Sequence, residues 1–167
     1  MENLKNKNQP SIVLIVASDT KQFADGRMLF EAYASSLNFN LCFQGFAEEL
    51  NSLNQQYNPP NGALIIVYDA DKPIAVVGVR QFEPFKAELK RMYTLPDYRG
   101  QKIGYQLLAK AITTATELGY KELLLDTLPE MQAAIKLYRE FGFETIEPYR
   151  YNPFDTAIYM KKELLPV

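Results

Sequence analysis

Three apolar, β-branched segments follow one another closely in the middle of the chain, and this arrangement constrains the fold most. The first, ALIIVYD, spans Ala63–Asp69, and the second, PIAVVGVRQF, spans Pro73–Phe82. Only Ala70–Lys72 separates them, a length that suits an antiparallel hairpin. The third segment, AELKRMYTL (Ala87–Leu95), ends directly before Pro96. The sequence therefore predicts three consecutive strands, the first two of them paired as a hairpin.

Before these strands, the pattern predicts one strand and two helices. SIVLIVAS (Ser11–Ser18) is uninterrupted and β-branched, as in a buried strand. Asp19 or Thr20 can cap the helix that follows. GFAEELNSL (Gly45–Leu53) predicts a shorter second helix.

After the three strands, two helices alternate with the remaining strands. Apolar residues at steps of three and four predict a helix from Ile103 to Leu118, and Glu122–Leu128 is a strand candidate. Thr127 and Glu130 can form a capping box for a helix over Pro129–Phe141. FETIEPYRY and TAIYMKKEL are the last strand candidates. The order predicts one domain over residues 1–167, with a mixed α/β sheet, helices on its faces and a flexible segment 1–10.

The composition excludes several kinds of site. The chain has no histidine and one cysteine, Cys42, so zinc sites, disulfides and histidine-dependent triads are excluded within one chain. Proton transfer must then use carboxylates, tyrosines, lysines, the backbone or water. The formal net charge of −2 gives no reason to expect nucleic acid or an anionic membrane as a partner.

The stretch DYRGQKIG (Asp97–Gly104) lies between the third strand and the next helix. The first N–H groups of a helix lack partners, and its macrodipole is positive there. Gly100 and Gly104 let an oxyanion approach the main chain, while Arg99 and Lys102 add positive charge. The loop therefore predicts either a pyrophosphate-binding site or a polar turn that caps the helix.

A second motif lies one strand downstream, and the two together resemble the GNAT superfamily of acyl-CoA N-acyltransferases. The family's phosphate loop reads Arg or Gln, two residues, Gly, one residue, then Gly or Ala. Arg99 and Gly104 match the outer positions, and Lys102 replaces the inner glycine. In the later helix, MQAAIKLYREFGF, Met131 replaces the family's asparagine. The residues that match there are Ala134, Leu137, Tyr138, Gly142 and Phe143.

The resemblance implies a largely antiparallel sheet flanked by about four helices, with a splay between its two central parallel strands. It also implies that acetyl-CoA is the co-substrate and that its pantetheine arm lies in this splay, paired with main-chain atoms. The diphosphate would then lie on the N–H groups of the loop. The cofactor-binding residues so implied are Met92, Tyr93, Leu95, Arg99, Gly100, Gln101, Lys102, Ile103, Gly104 and Tyr105.

Tyr138 is one candidate catalytic residue, because the family pattern places this tyrosine near the sulfur of CoA. A phenol, with a reference pKa of about 10, can donate a hydrogen bond and a proton to the leaving thiolate. Packing in the apolar stripe of its helix is the alternative role.

An ammonium with a pKa of about 10 must lose a proton before it can attack. The resemblance implies a base or a water-ordering carboxylate early on the strand that delivers the cofactor, so Glu88 is the candidate general base, acting directly or through an ordered water. The alternative is a solvated strand residue paired with Lys90. Strict alternation along the strand places Glu88, Lys90, Met92 and Thr94 on one face and Leu89, Arg91, Tyr93 and Leu95 on the other.

The acceptor pocket is expected from the N-terminal helices and their loop, NFNLCFQGF (Asn38–Phe46), together with Arg80 on the hairpin. Phe43, Gln44 and Phe46 would form a half-apolar, half-polar wall. Arg80 either binds a substrate carboxylate or is an ordinary surface charge. Asp126 either caps the following helix together with Thr127 or faces the acceptor amine.

These observations predict an enzyme that moves an acetyl group from acetyl-CoA to a primary amine of a small molecule, such as an amino-acid-like acceptor, by direct attack and without a metal. Two alternatives are a non-catalytic CoA-binding or sensing module and an acetyltransferase of protein N-termini or lysines. No apolar run approaches the ~20 residues that span a bilayer, and the N-terminus lacks a secretion signal. We expect a cytoplasmic monomer or homodimer.

Overall fold

A seven-stranded mixed sheet is formed by the residues that the computed structural model describes, 11–42 and 45–166. The strand order across the sheet is β1-β2-β3-β4-β5-β7-β6, and only the β4–β5 pair is parallel. This agrees with the largely antiparallel sheet that the resemblance implied. The strands are β1 (Ile12–Val16), β2 (Ala63–Asp69), β3 (Lys72–Glu83), β4 (Lys86–Thr94), β5 (Glu122–Thr127), β6 (Glu144–Ile146) and β7 (Ile158–Glu163).

Five α-helices flank the sheet within these residues, rather than about four. The predicted helix Gly45–Leu53 is divided at Ser52, whose φ of −130° and ψ of 25° are not helical. No helix of the described part is long and apolar enough to cross a membrane. The predicted segment 1–10, Phe43 and Gln44 lie outside the described residues. The helices are α1 (Thr20–Ser36), α2 (Phe46–Asn51), α3 (Leu53–Gln56), α4 (Ile103–Glu117) and α5 (Gln132–Glu140).

The start of α1 was predicted correctly and the start of α5 was not. Asp19 accepts a hydrogen bond from the N–H of Gln22 at 2.8 Å and is the N-cap of α1. In contrast, α5 begins three residues after Pro129, and no described side chain caps it. The chain first forms a turn in which the N–H of Met131 donates to the carbonyl of Leu128. The predicted capping box is therefore wrong.

Apolar layers cover both faces of the sheet. On one face, residues of α4 and α5 such as Leu107 pack in one cluster with the strand residues Leu123 and Met160. On the other, α1 and α3 pack around Phe30 and Leu64. All these side chains are fully buried. Because both faces are covered, a charged residue of the central strands needs a partner inside the protein or tends to lose its charge.

The two parallel strands separate after a short paired segment. β4 pairs with β5 only from Lys86, opposite Glu122, to Glu88, opposite Leu124. Beyond this point both strands continue, but they no longer pair with each other. The splay that the resemblance implied therefore begins just after Glu88.

A β-bulge lies in the same part of β4. Two residues, Arg91 and Met92, stand opposite Val77, and Arg91 has a φ of +57°. The extra residue changes the alternation of side chains. Leu89 and Met92 both pack on the α4 side, whereas Tyr93 packs on the α1 side. The prediction of strict alternation along this strand is therefore wrong beyond the bulge.

Candidate functional site

A cleft opens between the end of β4, the loop before α4 and the face of α5; we call it the basic cleft. Ala133, Ala134, Leu137 and the charged Lys136 and Glu140 form its α5 wall. All the predicted cofactor residues except Leu95 and Gln101 line the other side, namely Met92, Tyr93, Arg99, Gly100, Lys102, Ile103, Gly104 and Tyr105.

The N-terminus of α4 points into the basic cleft without a side-chain cap from any described residue. Its first N–H groups are therefore left to an external acceptor. A Cβ on Gly100, which has a φ of +79°, would meet no atom within 4 Å, so the space over the loop is open. Arg99, Lys102 and Lys136 add three positive charges against Glu140. This donor set suits a diphosphate.

Lys102, which replaces the inner glycine of the family's loop, keeps the backbone conformation typical of glycine. Lys102 has a φ of +61° and is the N-cap residue of α4. This left-handed conformation is the one that glycine adopts without strain. The loop therefore keeps its backbone shape with lysine at this position, at a conformational cost of roughly 1–2 kcal/mol.

Leu95 and Gln101 are engaged elsewhere. The N–H of Leu95 donates to the carbonyl of Ile74 at 2.9 Å, and its carbonyl accepts from the N–H of Tyr98 at 3.0 Å. Both main-chain groups of Leu95 are thus already used. The Gln101 side chain donates to the carbonyl of Asp97 at 3.4 Å.

Arg99 lies across the end of β4. Its Nε donates to the carbonyl of Thr94 at 3.1 Å, and its guanidinium lies 5.6 Å from the ring centre of Tyr93. These contacts hold the guanidinium along the wall of the basic cleft, where its remaining donors can reach an anion.

A second, smaller cavity lies in the splay between β4 and β5; we call it the inner pocket. Its cavity volume is about 50 Å³. The rings of Phe39 and Phe154 are 4.7 Å apart in its wall. Its lining residues are Tyr33, Phe39, Leu41, Leu89, Lys90, Arg91, Asp126, Thr127, Leu128, Met131, Asn152 and Phe154.

Glu88, the predicted base, lies outside this lining and is surrounded by donors. Arg150 donates to its two oxygens at 2.9 and 3.1 Å, the Tyr149 hydroxyl donates at 3.0 Å and Arg80 donates at 3.3 Å. Burial alone raises the pKa of Glu88, but the charges of Lys90, Arg150 and Arg80 outweigh it and hold the pKa below its usual value. A carboxylate in this environment accepts a proton poorly.

Arg80 is part of the same network and lines neither cavity. Besides Glu88, it contacts the side chains of Gln56 at 2.8 Å and Glu49 at 3.4 Å. Glu49 also accepts from Arg91 at 3.0 Å. Sequence reasoning missed this Glu49–Arg91 pair, because nothing local connects residues 42 positions apart.

Asp126 faces the inner pocket and does not cap α5, so the capping prediction for it is wrong. Its carboxylate accepts from the Asn152 amide at 3.1 Å and lies 3.8 Å from Nε of Arg150. The segment between β6 and β7 therefore holds this carboxylate from one side.

Tyr138 lies on α5, only 7% exposed, with its ring 5.7 Å from that of Phe143. Its hydroxyl makes no hydrogen bond to any described residue. Burial raises the pKa of the phenol, and Tyr33 and Asp126 of the inner pocket raise it further. The phenol therefore stays protonated through the neutral range.

Lys90 is the site residue that sequence reasoning missed. It lines the inner pocket, is 3% exposed, and forms no hydrogen bond or ion pair within the described part of the chain. Burial and the charge of Arg91 lower its pKa to about 7, against the opposing effect of Glu88. The signal that could have identified Lys90 is its position in a strand covered on both faces, where a lysine side chain has little access to solvent.

Comparisons with known proteins agree with this geometry. Residues 28–143 match the Acetyltransferase (GNAT) family. An uncharacterised N-acetyltransferase of Schizosaccharomyces pombe is 35% identical over 159 residues, which cover 93% of this chain and 98% of that protein.

Two solved structures show the same fold. A GNAT-family acetyltransferase of Staphylococcus aureus has a TM-score of 0.76 at 18% identity, over 93% of this chain and 100% of that one. A Salmonella typhimurium acetyltransferase, solved with acetyl-CoA, has a TM-score of 0.65 at 15% identity. The match covers 92% of this chain and 94% of that one. The matched sequence and the shared fold lead to one assignment. The chain belongs to the acetyltransferase (GNAT) family and is an acetyl-CoA-dependent acyltransferase.

Proposed function

We propose that the protein transfers an acetyl group from acetyl-CoA to the primary amine of a small molecule by direct attack. The observation that carries this proposal is that two different cavities adjoin one splay. The basic cleft is open and positively charged, and the inner pocket is small, partly aromatic and contains a carboxylate.

The residues of the basic cleft fit the diphosphate of CoA. Arg99, Lys102 and the uncapped N–H groups of α4 would hold it. β4 has an edge that no longer pairs with β5 from Leu89 onward, so main-chain groups near Met92 and Tyr93 are the candidates to contact the pantetheine arm. When bound, acetyl-CoA supplies the acetyl group as an activated thioester.

The inner pocket favours a small ammonium-bearing acceptor. Asp126 offers a negative charge, and the rings of Phe39 and Phe154 suit a cation with an apolar body. A cavity of about 50 Å³ accommodates only the reacting end of such a molecule. Arg80 gives no support to a carboxylate-bearing acceptor, because Gln56 and two carboxylates already occupy its guanidinium.

Tyr138 is the group that we assign to the leaving sulfur. Its phenol is buried, protonated and makes no hydrogen bond to a described residue. A donor of this kind stabilises charge that develops on a leaving thiolate and can supply the proton it needs. Direct attack needs no covalent enzyme intermediate, and Cys42, the only thiol, is exposed and lies outside both cavities.

An acceptor screen tests the proposal. Acetyl-CoA is incubated with aliphatic amines, arylalkylamines, amino acids, polyamines and short peptides, and free thiol is measured, while calorimetry measures CoA binding separately. We expect CoA binding and thiol release with a small amine, and little release with peptides. Binding without release for any amine would identify a non-catalytic module. No binding would overturn the assignment of the basic cleft.

A further inference from the structure

We propose that Lys90, and not Glu88, takes the proton from the acceptor's ammonium group. This inference rests on the proposed function and adds a catalytic residue to it. Lys90 stands on β4 two residues beyond Glu88, the last β4 residue that pairs with β5. It therefore lies at the start of the splay, in the wall of the inner pocket.

The Lys90 amine has little contact with solvent and no partner among the described residues to stabilise a charge. It is 3% exposed and makes no hydrogen bond or ion pair with the described residues. Burying a charged amine without a partner is costly, so such a lysine tends to lose its proton. An unpartnered lysine in a pocket wall is therefore available to interact with whatever enters the pocket.

The surrounding charges balance one another without Lys90. Three arginines on β3, β4 and the β6–β7 segment are matched by three carboxylates on α2, β4 and β5. A proton on Lys90 therefore adds an uncompensated positive charge. The charged groups that act on Lys90 are Arg80, Arg91, Arg150 and Glu88, and Asp126 and Tyr33 line the same pocket. Behind them, Glu49 accepts from Arg91 and the Tyr149 hydroxyl donates to Glu88.

The reaction of Lys90 conserves protons and electrons. Its neutral Nζ accepts a proton from the acceptor's ammonium; the N–H bond breaks, and the electron pair stays on the acceptor nitrogen, which becomes the nucleophile. Lys90 is left as an ammonium and returns the proton to solvent before the next cycle. A general base performs this transfer best when its pKa lies near the working pH. Such bases typically contribute 10²–10⁴-fold to the rate.

Glu88 takes a different part in this arrangement. Its oxygens accept hydrogen bonds from Arg150, Tyr149 and Arg80. These bonds favour the ionised carboxylate and hold the two arginines beside Lys90. Glu88 is thus a positioning residue for the cluster, and the proton goes to the group that has no such partners.

Two substitutions at Lys90 separate a base from a cationic binding group. Lys90→Met removes the amine, and Lys90→Arg keeps a permanent charge that cannot act as a base near neutral pH. With the best acceptor from the screen, we expect both variants to lose roughly 10²–10⁴-fold in kcat/KM. The wild-type rate should fall below about pH 7, in line with the pKa of Lys90.

The control is Lys110→Met, on α4 and outside both cavities. It should keep wild-type activity, and all three variants should bind CoA as tightly as the wild type. Lys90→Met with at least half the wild-type kcat/KM would overturn the proposal. Activity retained by Lys90→Arg but lost by Lys90→Met would also overturn it, and would identify Lys90 as a site for an acidic group of the acceptor.

A titration without turnover gives an independent test. In protein labelled with ¹³C at lysine Cε, the Lys90 signal is identified by its absence from Lys90→Arg. We expect this signal to titrate with a midpoint near pH 7, as its pKa of about 7 implies. The exposed lysines should titrate near their usual value of about 10.4. A Lys90 midpoint above pH 9 would overturn the proposal even if the enzyme acetylates amines, whereas failure to bind CoA would leave this titration unaffected.

Discussion

Glu88 shows how a single carboxylate can matter for stability without taking part in proton transfer. It is 1% exposed and accepts hydrogen bonds from Arg150, Arg80 and Tyr149. We expect Glu88→Gln to lower the free energy of unfolding by roughly 3–5 kcal/mol, because it removes a buried carboxylate charge that two partly buried arginines share. Thermal unfolding of the purified variant measures this loss.

The pH dependence of stability follows from the direction of the Glu88 pKa shift. Because its pKa is lower in the folded protein, its contribution is present above the unfolded value of about 4.3 and is lost as the pH falls through the folded value. The melting temperature of the wild type should therefore fall more steeply than that of Glu88→Gln as the solution is acidified below pH 5. Equal pH slopes would show that the ionisation of Glu88 contributes nothing to folding.

The hydroxyl of Tyr138 can be removed with little effect on packing. It makes no hydrogen bond to a described residue, while the ring lies in the core next to Phe143. We expect Tyr138→Phe to lower kcat by about 10²-fold, since a lost general acid has an effect of this order, with unchanged CoA affinity. Tyr151→Phe, at a 79% exposed tyrosine, is the matched control. Full activity in Tyr138→Phe would leave this residue a packing role alone.

The loop before α4 combines backbone strain with charge, and two variants of Lys102 separate these effects. Lys102→Ala removes the charge and keeps the strain of the left-handed conformation, whereas Lys102→Gly removes both the charge and the strain. We expect Lys102→Gly to be more stable than Lys102→Ala by about 1 kcal/mol, because glycine adopts this conformation without strain. Both should bind CoA several-fold more weakly than the wild type at low salt. Equal melting temperatures would show that the loop relaxes around alanine.

Most of the elements could be predicted from periodicity, because strands and helices carry local patterns. The bulge at Arg91 could not, because a positive φ at an arginine depends on the strands and helices packed around it. The divided helix at Ser52 and the late start of α5 depend on local turns that compete with capping signals.

For the candidate site too, the contiguous part could be predicted from the sequence, and the part built from distant segments could not. The loop before α4 is contiguous, so its residues could be named from the sequence, and all of Arg99–Tyr105 except Gln101 line one cleft. The surroundings of Glu88 and Lys90 come from segments far apart in the chain, such as Arg150 and Glu49. Their ion pairs, and the isolation of the Lys90 amine, appear only when these segments are brought together.

At the scale of the whole molecule, ligand binding should raise stability through the basic cleft. A ligand at about 100 times its Kd stabilises a protein by about 2.7 kcal/mol, which is roughly 5–10 °C for a chain of this size. We expect such a shift with CoA, smaller in high salt because the diphosphate contacts are ionic. Pantetheine, which lacks the diphosphate, should give little shift at the same concentration. Equal shifts with both compounds would show that the loop before α4 does not bind the diphosphate.

The two cavities are built from different parts of the chain. The basic cleft uses the end of β4, the adjoining loop and α5, whereas the aromatic wall of the inner pocket comes from Phe39 and Phe154, in segments outside the sheet. Under the proposed function, replacing these two aromatic side chains should change which amines are acetylated, while the residues of the basic cleft stay the same. Acceptor preference and affinity for the acyl donor would then change independently when the protein is engineered or diverges.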